Sequence, residues 1–233
     1  MNIIEIYYDG LNIEKYKAHS NIKGFTTNSS IFSTSKEVSY KSFYDKISKY
    51  LNNRPFSLQV WEDDFDKCKK QIDEIQNIDT KIYIKIPIIN SNGLFNDEII
   101  NYAIKNKASL NITCIYTIEQ IEHTYTLLKD YNEPVIVSIF AGPISDSGTS
   151  PIPYIKHSKE IFKNKYNIKI LWAGCRELYT IIRAQESGCD IITIPDTIID
   201  KLNIFNKDLN TLAIERVRIF KNDGNIKPIH ILN

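Results

Sequence analysis

Short apolar segments that alternate with amphipathic ones constrain this chain more than any other feature. In Thr117–Lys129, for example, apolar residues recur at helical spacing. Strands that alternate with helices indicate a parallel sheet with right-handed crossovers. Eight candidate strands fit this pattern: Ile3–Asp9, Gly24–Asn28, Phe56–Trp61, Lys81–Pro87, Leu110–Tyr116, Pro134–Gly142, Ile168–Gly174 and Cys189–Pro195.

Eight strand–helix units predict a (β/α)8 barrel, an α/β fold. The 233 residues suit one such domain over residues 1–233, with an additional C-terminal helix over about Asp208–Asn222. An open, doubly wound sheet is the alternative. It is disfavoured because no GxGxxG or P-loop motif follows any candidate strand.

Composition excludes several classes of protein. Lys and Arg total 29 and Asp and Glu 28, so the net charge is +1, without the basic excess typical of nucleic-acid binders. The apolar runs are too short to span a bilayer, and the first residues lack the pattern of a signal peptide. We expect a cytosolic protein with neither a nucleic-acid nor a membrane partner.

Cysteine and histidine spacing predicts no metal site. The four cysteines contain no CxxC pair, and we interpret them as buried structural thiols. The four histidines are scattered and form no pair at ligand spacing. We expect neither a metal nor a cofactor.

Lysine stands on the inward face of the fourth candidate strand. Alternation in Lys81–Pro87 assigns the isoleucines to the face under the helices and Lys85 to the barrel interior. Active sites of this fold lie at the carboxyl ends of the strands. Other strands place further side chains at corresponding positions: Asp9, Thr26, Asn28, Gln59, Asn111, Thr113, Ser138 and Phe140.

This set of side chains suggests a chemistry. A lone strand lysine often reaches solvent along its stem, but a barrel interior built only for packing prefers branched apolar residues. A lysine amine in a dry pocket attacks ketones to form imines, and polar neighbours bind hydroxyls and relay protons. The residues predict a lysine-dependent, aldolase-type enzyme that acts on a polyhydroxylated ketone.

Seven strand motifs follow one another along the chain. They are GFTTN at Gly24–Asn28, SLQV at Ser57–Val60, YIKIP at Tyr83–Pro87, NIT at Asn111–Thr113, SIFAG at Ser138–Gly142, LWA at Leu171–Ala173 and CDIITIP at Cys189–Pro195. In this order they resemble the transaldolase family, especially its small branch with the fructose-6-phosphate aldolases. The resemblance covers nearly the whole chain.

The resemblance implies a class I mechanism. Lys85 forms a Schiff base with a ketose, and a dihydroxyacetone unit passes to an aldehyde acceptor. Asp9 matches the family's acid/base aspartate, while Gln59 and Thr113 match the residues that hold the catalytic water. The substrate-binding candidates are Asn28, Thr26, Asn111, Phe140, Arg176 and Gly174. Small members assemble into five-membered rings that can stack into decamers, so a homo-oligomer is expected.

Two departures concern proton transfer. Gln59 stands where transaldolases usually carry Glu, and Gln cannot exchange a proton with water. Fructose-6-phosphate aldolases share this Gln but pair it with a strand-six tyrosine, where this chain has Phe140. Phe140 favours a transferase, whereas Gln59 favours an aldolase, which is a lyase.

Transfer is our leading interpretation of the function. A non-catalytic sugar-binding barrel and an imine enzyme with another donor are the alternatives.

Two further departures concern phosphate recognition. Pro143 replaces an arginine and Gly174 a serine that contact the substrate phosphate in the family, while Arg176 matches the remaining arginine. Loss of an arginine removes a bidentate, charge-assisted contact. We expect a non-phosphorylated or differently charged sugar. The alternative is that Lys156 or His157 binds the phosphate of a sugar phosphate.

Overall fold

A computed structural model describes residues 3–226. The chain divides into two compact units, Met1–Ile199 and Asp200–Asn233. The first unit contains a closed barrel of eight parallel strands, each hydrogen-bonded to the next, with β8 paired to β1. This is the predicted (β/α)8 barrel.

The eight strands overlap the eight predicted segments. Seven lie within the predicted bounds, whereas β2 begins and ends two residues before its predicted segment. Polar or proline residues terminate four of them, where turns and helix caps begin. The strands are β1 Glu5–Asp9, β2 Ile22–Thr26, β3 Phe56–Gln59, β4 Tyr83–Pro87, β5 Leu110–Ile115, β6 Val135–Ile139, β7 Ile168–Trp172 and β8 Ile191–Ile194.

Helices follow the strands and cover the outside of the barrel. Asp64 accepts a hydrogen bond from Lys67 N at 3.0 Å and caps one of them, and Thr117 and Gln120 form a capping box on another. The helices of this unit are α1 Ser29–Phe32, α2 Tyr40–Leu51, α3 Phe65–Ile78, α4 Asp97–Lys105, α5 Ile118–Leu128, α6 Ala141–Asp146, α7 Ile152–Ile161, α8 Tyr179–Glu186 and α9 Asp196–Ile199.

An apolar cluster fills the barrel below its carboxyl-terminal mouth. It consists of Tyr7, Ile136, Leu171 and Ile191, with Tyr83 packed against it. Bulky and branched side chains of this kind form the layered interior of such barrels. Leu171 belongs both to this cluster and to the lining of the cavity at the carboxyl ends of the strands, so the cluster forms the bottom of that cavity.

The second unit contains the predicted C-terminal helix, α10, which spans Leu209–Ile226. Lys207 and Glu215 form an ion pair within the unit, at 2.6 Å. Apolar side chains of this helix are exposed: Leu209, Ile214, Val217, Ile219, Phe220 and Ile226. Over the described residues of both units, no helix is long and apolar enough to cross a membrane.

Candidate active site

The carboxyl ends of the strands surround a cavity of about 150 Å³. Seven of the ten predicted site residues line this cavity. Its lining consists of Asp9, Thr26, Asn28, Lys85, Asn111, Ser138, Phe140, Pro143, Leu171, Ala173, Gly174 and Thr193. Gln59, Thr113 and Arg176, the other three predicted residues, lie outside that lining.

Lys85 lies at the centre of the arrangement because of strand register. It pairs with Gln59 on β3 and with Asn111 on β5, and residues paired in register on parallel strands project from the same face. The Lys85 side chain is only 8% exposed, and its Nζ donates to the Thr27 carbonyl at 3.5 Å. Because this hydrogen bond is long, it holds the amine weakly, and the amine can reach a ligand in the cavity.

Asp9 is held by its neighbour on β2. The Thr26 hydroxyl donates to Asp9 Oδ1 at 2.7 Å, and the two residues are paired in register. Hydrogen bonds to a carboxylate are stronger than those between neutral groups. Thr26, predicted to bind substrate, therefore positions the carboxylate as well as lining the cavity.

A buried hydrogen-bond chain orients the Asn111 amide. Ser138 Oγ donates to Asn111 Oδ1 at 2.7 Å, and Asn111 Nδ2 donates to Ser57 Oγ at 3.2 Å. Asn28 uses its Oδ1 to accept from Ile31 N at 2.9 Å and so caps α1. In both asparagines, the contacts leave an amide hydrogen for a ligand.

Gln59 and Thr113 lie on β3 and β5, outside the cavity lining. The Gln59 side chain is half-buried, and its backbone carbonyl accepts from Tyr40 Oη at 2.8 Å. The Thr113 hydroxyl is buried, and among the described residues it has no nitrogen or oxygen partner. Because buried polar groups are usually bonded, this hydroxyl can hold a ligand or a water molecule.

Two residues near the site had no role in the sequence analysis. Cys114 lies at an irregularity of β5, with φ of 59°. It is half-buried, whereas the other three cysteines are buried as predicted. Burial raises the pKa of its thiol and the positive charge of Lys85 opposes that rise, so the two groups are in electrostatic reach. The ring of Tyr116 lies 5.3 Å from that of Phe140.

Neither residue could be assigned from sequence. The irregularity depends on how β5 pairs with β6, and the ring contact joins two loops. The alternation pattern reports only which face a residue occupies. Among the described residues, no group of three His, Cys, Asp or Glu side chains could ligate a metal ion.

Arg176 is bound to a carboxylate beside the cavity. Its Nε and Nη2 donate to Asp146 Oδ2 at 3.1 and 2.6 Å. Lys156 and His157, the alternative phosphate ligands, lie on α7 and do not line the cavity. His157 Nε2 instead lies 3.3 Å from Glu122 Oε1.

Comparison with known proteins decides the family. The family model described as Transaldolase/Fructose-6-phosphate aldolase matches residues 6–226. The chain belongs to this family. The match supports an enzyme of the aldolase kind. It spans every strand that contributes to the cavity except the first residue of β1, so all the residues that line the cavity lie within the matched part of the chain.

Relatives in this family have similar lengths. A probable transaldolase of Petrotoga mobilis is 27% identical over 226 residues, which cover 94% of each chain. One of Methanococcus vannielii is 28% identical over 220 residues, covering 91% of this chain and 95% of that one.

Solved structures show a similar fold at much lower identity. The N-acetylneuraminic acid synthetase of Leptospira borgpetersenii has a TM-score of 0.57 and 14% identity, and the match covers 83% of this chain and 73% of that one. The orotidine 5′-monophosphate decarboxylase of Metallosphaera sedula has a TM-score of 0.53 and 10% identity, covering 92% and 97%. These matches support the barrel fold alone.

The first turn of α6 and the loop after β7 touch each other at Gly174. Gly174 has φ of +81°, and a Cβ there would lie 3.0 Å from Pro143 Cδ. Gly93 has a similar φ of +79° but no atom within 4 Å of its added Cβ. The two glycines therefore share backbone conformation and differ in surroundings.

We predict that Gly174→Ala destabilises the protein more than Gly93→Ala. Both variants place a residue with a Cβ in the left-handed region, which lowers the free energy of unfolding by about 1–2 kcal/mol. Gly174→Ala adds overlap with the proline ring, worth about 1 kcal/mol more. Urea unfolding of the two variants measures the difference, and equal losses of unfolding free energy would contradict the contact with Pro143.

Proposed function

We propose that this protein is a transaldolase-like transferase that forms a Schiff base between Lys85 and a ketose. The observation that carries the proposal is the single amine in a mostly buried polar cavity, with a carboxylate on the same mouth. The family match supports aldolase-type chemistry on a sugar. The proposed donor is a ketose, non-phosphorylated or otherwise non-standard, that contains a dihydroxyacetone unit.

The proposed reaction begins at the amine. Lys85 Nζ attacks the ketose carbonyl as a free amine, the carbonyl oxygen leaves as water, and the proton that the free amine had released returns to the nitrogen, so the imine that forms is protonated. Asp9 then takes the proton of the hydroxyl one bond beyond the donor unit. The carbon–carbon bond breaks, its electron pair enters the protonated imine to give a neutral enamine, and an aldehyde departs.

Transfer completes when the enamine attacks a second aldehyde. A new carbon–carbon bond forms, Asp9 returns the proton to the new alkoxide, and water hydrolyses the imine to release the product. Asn28, Asn111 and Ser138 are suited to bind the donor hydroxyls, because their side chains line the cavity with oriented hydrogen-bonding groups. Thr113 and Gln59 are proposed to hold the water.

A lyase is the second candidate, because Gln59 is shared with the fructose-6-phosphate aldolases. In that reaction the enamine accepts a proton instead of an aldehyde, and dihydroxyacetone is released. Phe140 lines the cavity with no hydroxyl of its own, which favours transfer.

We predict that Lys85→Arg lowers transfer at least about 10³-fold, since it removes the nucleophile. The measurement is chromatography of new ketose formed from fructose or fructose 6-phosphate with an added aldehyde. Lys81→Arg is the matched control, because Lys81 is exposed just before the same strand. Transfer that survived in Lys85→Arg would contradict the mechanism. Release of dihydroxyacetone faster than transfer would favour the lyase.

We predict that Thr26→Val lowers kcat about tenfold or more, because Asp9 loses a charge-assisted hydrogen bond. Valine preserves the shape of threonine, so the fold is retained. Thr26→Ser keeps the hydroxyl and is expected to restore most of the activity. Steady-state kinetics of the two variants test this role, and a Thr26→Ser variant as slow as Thr26→Val would indicate a packing role instead.

A homo-oligomer is also proposed. The exposed apolar side chains of α10 support this proposal, because clustered apolar groups on a protein surface often mark an interface with another chain. Five-membered rings or decamers are the assemblies that the family resemblance implies. Light scattering measures the molar mass in solution, and a value equal to one 27.0 kDa chain would contradict the proposal.

A further inference from the structure

We infer that Asp146 is a specificity-determining residue that keeps Arg176 from binding a substrate phosphate, so that the enzyme prefers uncharged aldehydes and ketoses. This inference rests on the proposed Schiff-base function and adds the substrate class. It is argued from the rim of the cavity, the part formed by the turns after β6 and β7.

The cavity itself offers no second positive charge. Of the residues that line it, Lys85 is the only cation and Asp9 the only anion. Lys85 is committed to the carbonyl carbon in the proposed reaction. A phosphate group at the far end of a sugar would need another cation to pair with.

Arg176 is the cation that the family resemblance assigns to the phosphate, and it is already paired. Two of its N–H groups reach the same Asp146 oxygen, at 3.1 and 2.6 Å. The two side chains are 58% and 53% exposed, so the pair contributes little to stability. Its effect is on recognition: a phosphate that approached Arg176 would meet the Asp146 carboxylate at contact distance. Like-charge contacts of this kind discriminate against a ligand.

Two backbone positions of the rim offer no free N–H to a phosphate. Pro143 has no backbone N–H. Gly142 N donates to the Ala173 carbonyl at 2.9 Å, which occupies that amide. A hydroxyl side chain at position 174 is disfavoured, because its Cβ would lie 3.0 Å from Pro143 Cδ at a φ of +81°.

Cavity size agrees with a small substrate. The volume of about 150 Å³ is below the roughly 300–1,000 Å³ of typical ligand pockets. Such a cavity suits a three-carbon donor unit with a short aldehyde next to it. The apolar rim residues Phe140, Pro143 and Ala173 face that aldehyde rather than a charged group.

The test compares two acceptors that differ only in phosphate, glyceraldehyde and glyceraldehyde 3-phosphate, with fructose as donor. The quantity measured is the ratio of kcat/KM for the phosphorylated acceptor to that for the free one. The wild-type protein is expected to have a ratio below one. Asp146→Asn releases Arg176 and is expected to raise the ratio about tenfold, the effect of one charge-assisted contact.

Asp45→Asn is the matched control. Asp45 forms an exposed ion pair with Lys41 on α2, and the same substitution there changes net charge equally. Its ratio is expected to equal that of the wild type. A shift as large in Asp45→Asn as in Asp146→Asn would overturn the inference, because net charge alone would then explain it.

The remaining outcomes separate the two proposals. The role of Asp146 is overturned if the wild-type protein prefers glyceraldehyde 3-phosphate, or if the ratio is unchanged in Asp146→Asn. In either case, transfer to one of the two aldehydes still upholds the proposed function. Transfer to neither aldehyde, together with no product from fructose 6-phosphate, overturns the proposed function and this inference with it.

Discussion

The register between β3, β4 and β5 is the constraint on which the rest of the site depends. It sets Gln59, Lys85 and Asn111 side by side on the inner face of the barrel. A shift of one residue would move every side chain of a strand to the opposite face. Tyr83, two residues before Lys85 on β4, packs against the apolar cluster around Tyr7 and Leu171, so a one-residue shift of β4 would remove its ring from that cluster.

Closure of the barrel extends this constraint around the mouth. β8 pairs with β1, which brings Asp9 to the same rim as Lys85, although 76 residues separate them in the sequence. Asp196, the first residue of α9, then joins that helix to β1, since Tyr8 Oη donates to its carboxylate at 2.8 Å. Although burial raises the pKa of Asp196, hydrogen bonds from Tyr16 and Tyr8 bring it below its usual value. The Asp9 carboxylate thus lies on a strand that is hydrogen-bonded on both sides, to β2 and to β8.

The sequence predicted most of what depends on local pattern. Alternation around Lys85 was enough to place its side chain in the barrel, because strand geometry fixes the face of each residue. Contacts between distant turns could not be predicted in this way. The pairing of Arg176 with Asp146 joins the turn after β7 to the end of α6, and the approach of Gly174 to Pro143 depends on how two loops pack. The family resemblance indicates that an arginine and a serine are replaced by Pro143 and Gly174. Only the structure shows that these two residues contact each other.

The measurement that tests the account most directly is intact-mass spectrometry after borohydride reduction in the presence of dihydroxyacetone. Reduction converts an imine into a stable amine, so the adduct reports the proposed intermediate itself. We predict a mass increase of one reduced dihydroxyacetone imine, located on the peptide that contains Lys85 and absent from Lys85→Met. An adduct on another lysine, or no adduct with dihydroxyacetone, fructose or fructose 6-phosphate, would contradict the account.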